Sequence, residues 1–148
     1  MSSYKQHSND EGWEFGKVEL YVTHADFEAA ATSDTVTFAS PIFPTNAIPY
    51  KASMQLTEVF AGGTISAATM QLGDAGDADA LIAAGDVFTG SSLLAAETHG
   101  SGAESLGSAV MEAAYAPILT LTLTGDNCDA LTTGELMATI YYMKHANG

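Results

Sequence analysis

The strongest constraint in this sequence is a two-residue alternation that recurs from near its start to near its end. In Lys17 to Thr23, residues Val18, Leu20 and Val22 fall on one side, and Lys17, Glu19, Tyr21 and Thr23 on the other. Successive side chains of a strand point to opposite faces, so this is the pattern of a half-buried strand. The period returns at Asp34 to Phe38, where Val36 and Phe38 oppose Thr35 and Thr37. It returns again after Pro49, with Tyr50, Ala52, Met54 and Leu56 expected on one side and Lys51, Ser53, Gln55 and Thr57 on the other. Near the end, Leu119, Leu121 and Leu123 alternate with threonines, and Leu136, Ala138, Ile140 and Tyr142 alternate with Met137, Thr139, Tyr141 and Met143. Six or more such runs, with no sustained 3.6-residue period, predict an all-β protein. The expected architecture is a single-domain β-sandwich over residues 17–148, jelly-roll or immunoglobulin-like. Residues 1–16, polar and turn-rich but carrying Trp13 and Phe15, are expected to form an extended N-terminal arm.

The punctuation between these runs sets further expectations. Pro41, Pro44 and Pro49 remove backbone donors and mark a connection. Gly62-Gly63 predicts a hairpin turn into the next strand. His24 to Asp34 suits a helical turn or a loop, and the Ala/Leu segment after Asp79 suits one or two helical turns. From Thr89 to Gly107 the small, Gly/Ser-rich sequence predicts a loop. Both faces of the last strand are apolar or aromatic, which predicts a strand central in its sheet or covered by a partner.

Charge narrows the list of partners. Eighteen Asp and Glu stand against four Lys and no Arg, a formal net charge of −14. Nucleic acid is bound through clustered cations that displace counterions, and Lys5, Lys17, Lys51 and Lys144 are scattered singly. The same scarcity disfavours anionic membrane surfaces. No apolar run approaches the roughly 18–20 residues that span a bilayer, and Met1 to Gly16 lacks the apolar core of a signal peptide, so a soluble, unsecreted protein is expected. The single Cys128 cannot form an internal disulfide. A surface this acidic suits high ionic strength, where screening shortens the range of self-repulsion.

The sequence offers little for catalysis. Asp74, Asp77 and Asp79 form the one acidic cluster with conceivable calcium-ligand spacing, yet they do not fit the D-x-[DN]-x-[DN]-G loop. Turn formation and capping of a following helical turn explain them without a metal, and the same holds for Asp126 and Asp129. No G-x-S-x-G elbow occurs, nothing adjacent to Cys128 would lower its pKa, and His7, His24, His99 and His145 lack metal-ligand spacing. Phosphate-cradling glycine motifs are missing as well. Neither an enzyme site nor a cofactor is expected. Tyr21, Tyr141 and Tyr142 lie on strands, where aromatics serve as core or subunit interface more often than as a sugar platform.

Several stretches together resemble the small head decoration, or cement-type, proteins of tailed bacteriophages. They are K-V-E-L-Y-V-T-H-A-D-F (Lys17 to Phe27), D-T-V-T-F (Asp34 to Phe38), Q-L-T-E-V-F-A-G-G-T-I (Gln55 to Ile65), L-G-D-A-G-D-A-D-A-L (Leu72 to Leu81) and D-A-L-T-T-G-E-L-M-A-T-I-Y-Y (Asp129 to Tyr142). The resemblance implies a non-enzymatic virion protein that stabilises the head by binding the outer surface of the major capsid lattice as a trimer or other homo-oligomer. Its implied interface residues here are Trp13, Phe15, Tyr141 and Met143, with the arm reaching a neighbour or the major capsid protein. The alternative is a carbohydrate- or receptor-binding β-sandwich of a tail or head fibre, which calls for an exposed aromatic row or a calcium ion at Asp74, Asp77 and Asp79.

Overall fold

The computed structural model describes residues 13–39, 42–44, 47–90, 93–98 and 115–145. Eight strands account for most of them: β1 (Trp13–Thr23), β2 (Ser33–Thr37), β3 (Ile48–Ala61), β4 (Ala67–Gly73), β5 (Ile82–Asp86), β6 (Leu93–Thr98), β7 (Ile118–Thr124) and β8 (Thr133–His145). They form two four-stranded sheets, ordered β1-β8-β3-β6 and β2-β7-β4-β5, with every pairing antiparallel. The first strand pairs with the last, β2 with β7, β3 with β6 and β4 with β5. Such nested pairing is what a long antiparallel hairpin gives when it is rolled into two facing sheets. Between the two expected sandwiches, this is the jelly roll.

The alternation places the core where the sequence put it. Leu20, Val22, Met54, Leu136, Ala138 and Ile140 from one sheet meet Met70, Leu72, Ile82, Leu119 and Leu121 from the other, all buried. Phe27, from the β1–β2 connection, packs edge-on against Phe60 of β3 with ring centroids 6.1 Å apart. β8 lies between β1 and β3, which explains a strand apolar on both sides.

Three local expectations are corrected. Gly62-Gly63 does not close a hairpin: β3 and β4 belong to different sheets, and the pair turns a corner between them. A Cβ on Gly62 would strike the backbone at Ala130 and Leu131, so close approach of the β7–β8 connection is what requires glycine there. β7 and β8 also flank a connection that changes sheets, with a short 3₁₀ turn over Cys128–Ala130. The Ala/Leu segment after Asp79 is the edge strand β5, because pairing with β4 overrides the helical bias of alanine. β6 falls inside the stretch expected to be loop, and its pairing with β3 fixes it where its side-chain pattern gives no strand signal. His24–Asp26 is a 3₁₀ turn, as one of the two expectations had it. Strand pairing begins at Trp13, within the range expected for the arm, and residues 1–12 lie outside the described residues.

Candidate functional site

The outward face of the β1-β8-β3-β6 sheet gathers most of the sequence's interface candidates. In β1, Phe15 stands opposite Met143 of β8, and Met143 opposite Ile48 of β3. Two residues along, Lys17 stands opposite Tyr141, and Tyr141 opposite Lys51. Trp13 heads β1, opposite His145. The four residues singled out in the sequence therefore lie at one end of one two-strand ladder, with Phe15, Tyr141 and Met143 on the same face.

Tyr50 joins them, against expectation. Alternation assigned it to the buried side with Ala52 and Met54, but the β3 register shifts between Pro49 and Lys51, and this bulge turns Tyr50 outward. Its ring meets Phe15 edge-on at 6.1 Å and Tyr141 at 6.3 Å with a 46° tilt. The Lys51 ammonium lies 5.4 Å from the centre of the Tyr141 ring, within cation–π range. The result is an aromatic cluster bordered by cations on an otherwise acidic molecule. Bulges carry no single-sequence signature in a run as regular as Tyr50 to Leu56, so this member was hidden from sequence reasoning. Farther along β1, Tyr21 donates its hydroxyl proton to Glu19 at 2.9 Å, and that bond raises the tyrosine pKa. Phe15 and Tyr21 are 65% and 64% exposed, the most open large apolar side chains among the described residues. Tyr142, by contrast, faces inward, its ring 6.0 Å from Phe43.

The opposite end of the sandwich is acidic. The β1–β2, β3–β4 and β7–β8 connections meet there through the Cys128 and Asp129 amides, which donate to the Ala31 and Ala29 carbonyls, and through the Thr64 amide, which donates to Asp126. Asp26, Glu28, Asp126 and Asp129 lie in these connections, with Glu58 and Glu135 paired across β3 and β8 beside them. Lys17, Lys51 and Lys144 all lie toward the other end, on the aromatic sheet, and share that end with Asp74, Asp77 and Asp79 of the β4–β5 connection.

The remaining candidates lie in connections and in the core. One Asp74 oxygen accepts the Gly76 and Asp77 amides at 2.9 and 3.0 Å, and the other accepts the Tyr115 hydroxyl at 3.0 Å. Asp77 shares in shaping this turn, its carbonyl accepting the Asp74 and Ala80 amides and its side chain the Asp79 amide at 3.4 Å, and no helical turn follows for Asp77 or Asp79 to cap. Burial, with Asp74 beside it, pushes the Tyr115 hydroxyl well above the ordinary tyrosine value. A hydrogen bond with the Asp77 side chain raises the Asp79 carboxyl. Asp74, Asp77 and Asp79 do not converge as a ligand set, and among the described residues no three His, Cys, Asp or Glu groups do. Cys128 is buried, and burial raises its thiol pKa, the reverse of what a nucleophile needs. No helix among the described residues is long and apolar enough to cross a membrane.

No protein-family model matches the chain, and no curated protein matches it. Among solved structures it is similar to a chain described as "Cyanophage Pam1 capsid asymmetric unit", with a TM-score of 0.60 and 19% identity, covering 97% of this chain and 93% of that one. It is also similar, at a TM-score of 0.46 and 20% identity, to a chain from "Bacillus endospore appendages form a novel family of disulfide-linked pili", covering 97% and 99% of the two. The cyanophage likeness runs through the whole sandwich, and what the two chains share is the fold.

Proposed function

We propose that the protein is a non-enzymatic structural component of a tailed-phage virion: a decoration, or cement, subunit that sits on the outer surface of the major capsid lattice and stabilises the head. The observation that carries this reading is the aromatic face of the β1-β8-β3-β6 sheet, held on a jelly roll similar along nearly its whole length to a chain of a cyanophage capsid unit. Phe15, Tyr50, Tyr141 and Met143 offer apolar area on rigid strands, which is how protein interfaces obtain affinity at low entropic cost. Lys17 and Lys51 supply the only positive charge on that face among the described residues, which marks it out on an acidic molecule as the side that meets the lattice. An outward position also suits a charge of −14, which the packaged genome would repel.

The rival, a glycan-binding module, draws on the same rings. Stacking on a sugar needs a flat, open aromatic face, whereas here the Phe15 and Tyr50 planes cross at 86° and Tyr50 and Tyr141 at 46°. Rings locked edge to edge suit a protein surface better. The test is to add purified protein to heads that lack it, then measure co-sedimentation and the temperature at which the heads release DNA. Saturable binding, a raised release temperature and at least tenfold weaker binding by Tyr141→Ser support the reading. Absence of binding, or glycan binding by the isolated protein that Tyr141→Ser abolishes, overturns it.

A further inference from the structure

The two sheets leave four edges, and that of β1 differs from the others. It is 11 residues long, against 5 in β2, 5 in β5 and 6 in β6. Sheet edges are ordinarily kept short or broken by proline or a bulge, because a free row of N–H and C=O groups is a template for another strand. β1 contains no proline, and its register with β8 runs from Trp13 to Thr23 without a shift. Among the described residues β8 is the only strand paired with it. The same strand carries Phe15 and Tyr21, the two large apolar side chains most open to solvent.

We propose that β1 pairs antiparallel with β1 of a second copy of this chain, about a two-fold axis through Val18. In that register Lys17 stands opposite the partner's Glu19 and Phe15 opposite the partner's Tyr21, each pair occurring twice by symmetry. Trp13 meets the partner's Thr23, so all 11 residues find a position. Opposite charges and aromatic pairs directly across an antiparallel ladder are the stabilising combinations. Neighbouring registers forfeit them. A shift of one residue sets inward-facing side chains against outward-facing ones. A shift of two sets Lys17 opposite the partner's Lys17, or Glu19 opposite the partner's Glu19. Charges that usually guard an edge here admit one register and reject those beside it. Pairing joins two four-stranded sheets into one of eight strands and sets two aromatic faces side by side. The inference concerns the isolated chain, so it stands or falls apart from the capsid reading.

Sedimentation equilibrium of the full chain over a wide concentration range tests it. The chain is expected to form dimers, with K17E and E19K each weakening association about tenfold or more, and K17E/E19K restoring it. Both side chains are solvent-facing, with relative exposures of 54% and 35%, so the reversals leave the fold intact. Directly opposed residues lie about 4.5–5.5 Å apart, within disulfide reach. V18C is therefore expected to cross-link to its own counterpart on mild oxidation. Y21C is not, because six residues of strand, about 20 Å, separate the two copies of that position. A monomer at every concentration, an association that neither single reversal changes, or cross-linking by Y21C but not V18C would overturn the proposal.

Discussion

At the scale of single residues, the most consequential positions are those where the fold needs an atom to be missing. Gly134, the second residue of β8, has φ +144°, and a Cβ there would overlap the Phe60 ring, which is itself fully buried against Phe27. Its amide donates to the Glu58 carboxylate at 3.0 Å, which ties the start of β8 to β3. Gly134→Ala combines an unfavourable backbone region with overpacking, and is expected to cost about 2–4 kcal/mol. Urea unfolding is the check: the midpoint falls while the slope is unchanged, because the surface exposed on unfolding stays the same. In the sequence Gly134 looks like any turn glycine. What makes it necessary is a ring 74 positions away, and no local pattern carries that information. Tyr50 was hidden for a related reason, since the bulge that turns it outward is a property of the β3–β8 register and not of its neighbours in sequence.

At the scale of elements, legibility followed the physics of burial. Strands β1, β3, β7 and β8 each bury one row of alternate side chains, so their hydrophobic period announces them and also locates Leu20, Met54, Leu121 and Ile140 in the core. Edge strands β5 and β6 owe their form to pairing and lack the signal. The connections misled because a glycine pair looks the same whether it closes a hairpin or crosses between sheets. One of those crossings is held by Asp126, whose carboxylate accepts the Thr64 amide at 3.0 Å, the Thr64 hydroxyl at 3.2 Å and the Asn127 amide at 2.8 Å. These bonds, led by that from the Thr64 backbone, hold its carboxyl below the ordinary aspartate value. A folded-state pKa below the unfolded one adds stability above about pH 4, and that stability is lost as pH falls through the folded value. Asp126→Asn should therefore be less stable than the native chain near pH 6, with the gap closing toward pH 3. Changes in overall charge repulsion act nearly alike on both proteins and largely cancel in the difference. A gap that does not vary with pH would mean that the contact works as a neutral hydrogen bond.

At the scale of the whole molecule, the charge of −14 is unevenly distributed, and this sets how the sandwich answers to salt. Asp26, Glu28, Asp126 and Asp129 crowd connections at an end that holds no described lysine, while Lys17, Lys51 and Lys144 lie toward the other, where they partly offset Asp74, Asp77 and Asp79 of the β4–β5 connection. The described favourable pairs are exposed, such as Lys17 with Glu19 at 3.8 Å, and exposed pairs contribute little. Repulsion at the acidic end, which unfolding relieves, is the larger effect near neutral pH. Salt shortens its range, from a Debye length of about 30 Å at 0.01 M to about 8 Å at 0.15 M. The melting temperature is therefore expected to climb by several degrees between those concentrations of NaCl and then level off. Sodium sulfate should go on raising it, because excluded salts also strengthen apolar burial. A melting temperature that falls as NaCl is added would mean that the lysine-bearing sheet, and not the acidic end, governs the electrostatics of folding.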